Sequence, residues 1–191
     1  MKLKTQKCLH GRKHQAEHDC LNTLTIYAEA LRQQRYESQN IEPEVVQNYT
    51  TFLNHCQQDF NLTVGAMREL TWLKAGTMFN LKHGWLEESR ARQEVAIYAE
   101  MQAGLWNLMR EMFRQAEPAA QQSMVQCVEQ WQQHTQATYT HAVPYLTDPR
   151  RSPLDVQRDV CRYGAVFALL KNLAHVMPKV RAQECEFSRG I

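Results

Sequence analysis

The sequence predicts an all-α protein: an antiparallel helical bundle of about five helices with long central members. Three observations carry this expectation. No proline occurs from Glu44 to Glu117, between Pro43 and Pro118, and proline is the residue a helix interior tolerates worst. Apolar residues recur through that run every three or four positions, which is the spacing of one helix face. Val46, Tyr49, Leu53, Cys56, Phe60, Val64, Met67 and Leu70 make the first half of the pattern, and Ile97, Met101, Leu105, Leu108 and Met112 the second. Finally, the chain holds only seven glycines and six prolines, and its strand-favouring residues form no alternating blocks.

The first helix is expected from about Arg12 to Gln39, with Leu21, Leu24, Ala28, Leu31 and Arg35 on one face. Pro43 suits the first turn of the next helix. The long run could be one helix or two. A single helix over residues 44–117 would measure about 110 Å at 1.5 Å per residue, too long for a domain of this size. Gly65, Gly76, Gly84 and Gly104 interrupt it, each costing about 1 kcal/mol against alanine. A break near Lys82–Trp85 fits best, with Gly84 capping the preceding helix. The stretch Glu87–Glu94 that follows carries no large apolar residue. A further helix is expected over residues 119–142, with Met124, Val128, Trp131, Thr135 and Tyr139 in register. Three prolines between Pro144 and Pro153 mark a loop. The last helix opens with Ser152 as N-cap, Pro153 at the first position and Asp155 at the third, and its stripe is Val156, Val160, Tyr163, Phe167, Leu170 and Leu173. The whole reads as a basic, flexible N-terminus (1–11), a single helical domain (12–178) and a C-terminal tail (179–191).

Lysine and arginine number 22 against 20 carboxylates, for a net charge of +2. Two small basic clusters stand out, one of Lys2, Lys4, Lys7, Arg12 and Lys13, the other Arg150–Arg151. Neither makes the concentrated basic face of a nucleic-acid binder, so no nucleic-acid partner is expected. The six cysteines, at 8, 20, 56, 127, 161 and 185, include no C-x-x-C pair. Lys2 and Lys4 precede no apolar core of an export signal, so a cytoplasmic location with reduced thiols is expected. The most apolar stretch, Gly164–Met177, is too short to span a membrane and reads as a buried helix.

Cys8, His10, His14, His18 and Cys20 form the densest group of potential ligands. His14 and His18 are four apart and share a helix face, so they could grip one zinc ion or a haem iron, with Cys20, which projects elsewhere from that helix, as a further candidate ligand. Solvated or half-buried packing histidines are the plainer alternative. His14-Gln15-Ala16-Glu17-His18 matches the H-x-x-E-H pattern of inverted zinc peptidases, but the mixed α/β context that chemistry needs is missing. No glutamate has a histidine three residues later, which argues against a ferritin-like di-iron site. There is no G-x-S-x-G, P-loop or G-x-G-x-x-G. These absences favour a protein that binds rather than catalyses.

The other candidate residues are aromatic and thioether side chains: Trp72, Trp85, Trp106, Met109, Met112 and Trp131. Methionine-rich faces adapt to varied partners, and amphipathic helices of this kind can lie on lipid or polymer surfaces, although a bundle core would use the same residues. Adjacent apolar pairs at Phe52–Leu53, Trp72–Leu73 and Leu108–Met109 widen the stripes. A protein partner or an apolar granule or lipid surface is expected, with a homo-oligomer presenting the helices.

From about Asn48 to Tyr145 the chain carries amphipathic helices rich in glutamine and alanine. They include Trp106-Asn107-Leu108-Met109-Arg110-Glu111-Met112-Phe113 and, after a Pro-Ala break, Gln130-Trp131-Gln132-Gln133. In these features it resembles the phasins, small helical proteins that coat polyhydroxyalkanoate granules. It departs from them in its six cysteines, four tryptophans, histidine-rich start and the helix after Ser152. The resemblance implies an amphipathic coat or adaptor without catalytic residues.

Overall fold

The computed structural model describes residues 21–180, which hold six α-helices and no strand. They are α1 (21–37), α2 (Pro43–Gln58), α3 (Phe60–Lys82), α4 (Glu88–Gln115), α5 (Pro118–Leu146) and α6 (Pro153–Val176), followed by a 3-10 turn at Met177–Lys179. The all-α class is as expected; the count is one higher than about five.

The extra helix comes from a break inside the first half of the proline-free run. Asp59 is extended (φ −132°, ψ 100°), and its carboxylate accepts the N–H of Leu62 at 3.2 Å. The Thr63 hydroxyl donates back across the break to the Cys56 carbonyl at 2.6 Å. An N-cap aspartate thus starts a new helix without glycine or proline. Replacing Asp59 with alanine is expected to cost about 1 kcal/mol with asparagine nearly neutral, read from thermal unfolding.

The break near Gly84 is where the sequence expects it. Gly84 adopts φ +71°, a conformation open to glycine at little cost. Its N–H donates to Leu81 at 3.1 Å, and that of Trp85 to Asn80 at 2.9 Å. This is a Schellman ending, and Trp85 packs back on Phe79 as that motif favours (ring centroids 6.1 Å).

Two boundaries differ from expectation. Helix α5 continues through Pro144 to Leu146, so the loop is 147–152. Pro144 sits in the last turn at an exposed position, where water can serve a carbonyl that loses its donor. The N–H and hydroxyl of Thr147 both return to the Val143 carbonyl at 2.9 Å. Ser152 occupies the N-cap of α6 as expected, but its side chain makes no capping bond.

The chain divides into two compact units, Met1–His55 and Cys56–Ile191, where the sequence suggests one helical domain. In the first, Tyr27 of α1 stacks on Tyr49 of α2 (centroids 3.7 Å, interplanar 9°), and Tyr49 neighbours Phe52. Leu24, Ala28, Tyr49 and Phe52 are buried.

The second unit is an antiparallel bundle centred on α3, which packs against α4, α6 and α5. Because neighbours cover several of its sides, α3 buries polar as well as apolar positions: Thr63, Val64, Ala66, Met67, Leu70, Gly76, Thr77 and Phe79. Helix α4 lies antiparallel along it. Ala91, Ile97, Met101, Leu105, Met109 and Phe113 form its buried stripe, and Gln102 donates to Thr71 at 2.8 Å. Helix α6 is also antiparallel to α3, with Tyr163 edge-on to Trp72. Helix α5 starts at a tight corner where the buried Gln121 amide donates to the Phe113 carbonyl at 2.8 Å. It then runs beside α6 and touches α3 at Asn61. This up-and-down order puts the ends of α3 and α5 together with the starts of α4 and α6.

Candidate binding surface at one end of the bundle

The shared end of α3–α6 collects the bundle's exposed apolar side chains. Among the described residues of the second unit, six large apolar ones are exposed: Met78, Trp85, Val143, Tyr145, Val160 and Val176. Five of these, all but Val176, belong to the last turns of α3 and α5, the turn after α3, or the first half of α6. Tyr145 is 70% exposed and Trp85 46%. The five share this end of the bundle but not one helix face, since Val143 and Tyr145 are two positions apart on α5 and Val160 lies two from each of Arg158 and Arg162, which face Trp85 and Trp72.

The Schellman turn fixes the backbone that carries Trp85. Its ring lies near those of Phe79 and His83, and the Arg158 guanidinium of α6 sits 5.8 Å from its centroid. One helical turn away, Arg162 stands 5.3 Å over Trp72, whose edge meets Tyr163 at 5.0 Å. Gly76 makes that arrangement possible, since a Cβ there would fall 2.3 Å from Arg162 Nη2. Tyr139 of α5 closes the aromatic row on Tyr163, centroids 5.1 Å apart.

Three arginines share two carboxylates here. Asp159 serves both Arg151 at 2.9 Å and Arg162 at 3.4 Å, while Arg158 pairs with Asp155 at 2.8 Å. The Nε of Arg158 and of Arg162 are buried without an acceptor. Burial, and then the charge of Arg158, push the Arg162 guanidinium below its usual range. The indole faces of Trp85 and Trp72 add a cation–π contact to the ion pairs of Arg158 and Arg162. Burial likewise raises the Tyr163 hydroxyl.

The other tryptophan–arginine pair lies deeper. Trp131 of α5 is only 8% exposed, donates to Asn61 Oδ1 at 2.9 Å and lies beneath Arg68 at 4.8 Å. On α4, Trp106 and Met112 are half-buried and Met109 is fully buried. The six aromatic and thioether candidates therefore do not share a face, and Trp85 alone among them is exposed. His14, His18 and Cys20 lie outside the described residues. Among the described residues no group of three histidine, cysteine or acidic side chains could hold a metal, and no described helix is long and apolar enough to cross a membrane.

Sequence reasoning missed Met78, Val143 and Tyr145 and placed Val160 on the core stripe of the last helix. The buried positions of α6 are Val166, Leu170 and Leu173, so that stripe turns outward before Tyr163. No family model, curated protein or solved structure matches this chain.

Proposed function

We propose that the protein is a non-catalytic helical-bundle binding protein that presents the apolar end of α3–α6 to an apolar surface or partner protein, the role that a phasin-like coat would have. The exposure of Met78, Trp85, Val143, Tyr145 and Val160 on the helix segments that meet at this end supports this reading. Amphipathic aromatic side chains such as tryptophan and tyrosine suit a boundary between water and an apolar phase. Arg150 and Arg151 lie in the adjoining loop. A homo-oligomer would multiply the contact by presenting several such ends at once.

Polyhydroxybutyrate particles test the reading directly. The protein is expected to sediment with them and its tryptophan emission to shift to the blue, with Trp85→Phe losing most of the shift. The combination of Met78→Ser, Trp85→Ser and Tyr145→Ser should release the protein. All three sites are exposed, so each change costs the fold roughly 1 kcal/mol or less. Failure to bind particles, together with identical co-purifying partners for wild type and the triple variant, would sink the reading.

A further inference from the structure

A groove separates α5 and α6 on the outer side of the bundle, with a volume of about 860 Å³, within the range of ligand sites. It is open along its length. One wall is the face of α5 from Gln132 to His141, about 13 Å long at the rise of a helix. Phe167 of α6, set edge-on to Tyr139 at 6.3 Å, supplies an apolar floor. The exposed Ala137 leaves the middle of the wall low.

The polar groups of the lining have a definite pattern. Gln133 and Gln136 each offer a carboxamide with both a donor and an acceptor. The Thr140 hydroxyl gives its proton to the Gln136 carbonyl at 3.0 Å and keeps its lone pairs free to accept. Lys171 brings an ammonium and His141 an imidazole. Because α5 and α6 run antiparallel, with Tyr139 against Tyr163 and Phe167, Lys171 falls at the Gln132 end and His141 at the other. Among the described residues no carboxylate lines the groove, and Lys171 has no acidic partner. The nearest acid along α5, Glu129, lies about a turn before Gln132.

We propose that this groove binds an extended acidic peptide segment, its carboxylates drawn to Lys171 and His141 and its backbone amides matched by Gln133, Gln136 and Thr140. About four residues of extended chain, at roughly 3.3 Å each, span the wall. Carboxamides complement a peptide backbone because they reproduce its own donor and acceptor pair. The open groove suits a chain that enters and leaves at both ends, and the absence of lining carboxylates selects acidic over basic segments. The groove adjoins the apolar end at His141 but shares no residue with it, so it stands or falls independently of the function proposed above.

Fluorescence anisotropy on the full chain, with a fluorescein-labelled peptide of four glutamates, provides the test. Saturable binding is expected at low salt, at least tenfold weaker in Lys171→Glu and in Ala137→Trp, which fills the groove from an exposed position. A peptide of four glutamines should bind more weakly and one of four lysines not at all. Trp85→Phe should leave the affinity unchanged. Circular dichroism of both groove variants confirms that they fold. No saturable binding, or binding that survives both substitutions, overturns the proposal. Equal competition by dextran sulfate in wild type and Ala137→Trp would also overturn it, since general charge attraction ignores the shape of the groove.

Discussion

Replacing Trp131 with alanine is expected to destabilise the bundle by about 3–5 kcal/mol, the range for truncating a buried aromatic residue, whereas Trp85→Ala should cost about 1 kcal/mol. Trp131 fills the contact between α3 and α5. Its ring is 3.2 Å from where a Cβ on Gly65 would stand, so the two backbones approach closely there. Truncation would open a cavity, leave Asn61 Oδ1 with only the weak Cys127 thiol donor at 3.6 Å in place of the indole N–H at 2.9 Å and strip Arg68 of the ring beneath it. Trp85 has a single arginine over one face and water against much of the rest. Urea unfolding followed by circular dichroism separates the two through the shift in midpoint. Equal shifts would mean that Trp131 is not the wedge between α3 and α5.

Alkaline pH should weaken the fold through Cys56. Its side chain is fully buried beside the break at Asp59, and burial raises the thiol from 9.0 to about 12, with the Thr63 hydroxyl opposing and Asp59 adding to the rise. The buried site therefore keeps the thiol neutral. In the unfolded chain the proton leaves near pH 9; in the folded chain it stays until about 12. Between those values the folded state holds the extra proton, so stability that is complete below pH 9 falls by about 1.4 kcal/mol per pH unit, about 4 kcal/mol over the window. Cys56→Ala removes this dependence while leaving the other titrating groups in place. The wild-type advantage over Cys56→Ala should thus shrink as pH rises from 9 to 10.5 in urea titrations. Parallel curves would show that the thiol does not titrate in this way.

The helical breaks differ in how plainly the sequence marks them. Gly84 declares itself, because few other residues turn a chain at positive φ cheaply. Asp59 gives a weaker signal: aspartate is common on solvated helix faces, and its capping role depends on the local backbone becoming extended. Pro144 misleads in the opposite direction, since proline in a final exposed turn removes a bond that the helix end hardly needs. The candidate binding end was the least legible part. Trp72, Trp85 and Trp131 look alike in a linear pattern, and Val160 keeps helical register with Val156 and Tyr163, yet the four range from buried to nearly half exposed.

By itself, then, the sequence determined that the chain forms long helices, where most of them stop, and that Trp85 follows the turn at Gly84. These are local consequences of backbone preference and of apolar spacing along single helices. The tertiary structure alone decided that α3 lies at the centre with α4, α5 and α6 around it, that Trp131 and Met109 are enclosed, and that Met78, Trp85, Val143, Tyr145 and Val160 come to one end. The physical reason is that a helical repeat fixes which residues share a face, while burial depends on how many neighbouring helices cover that face.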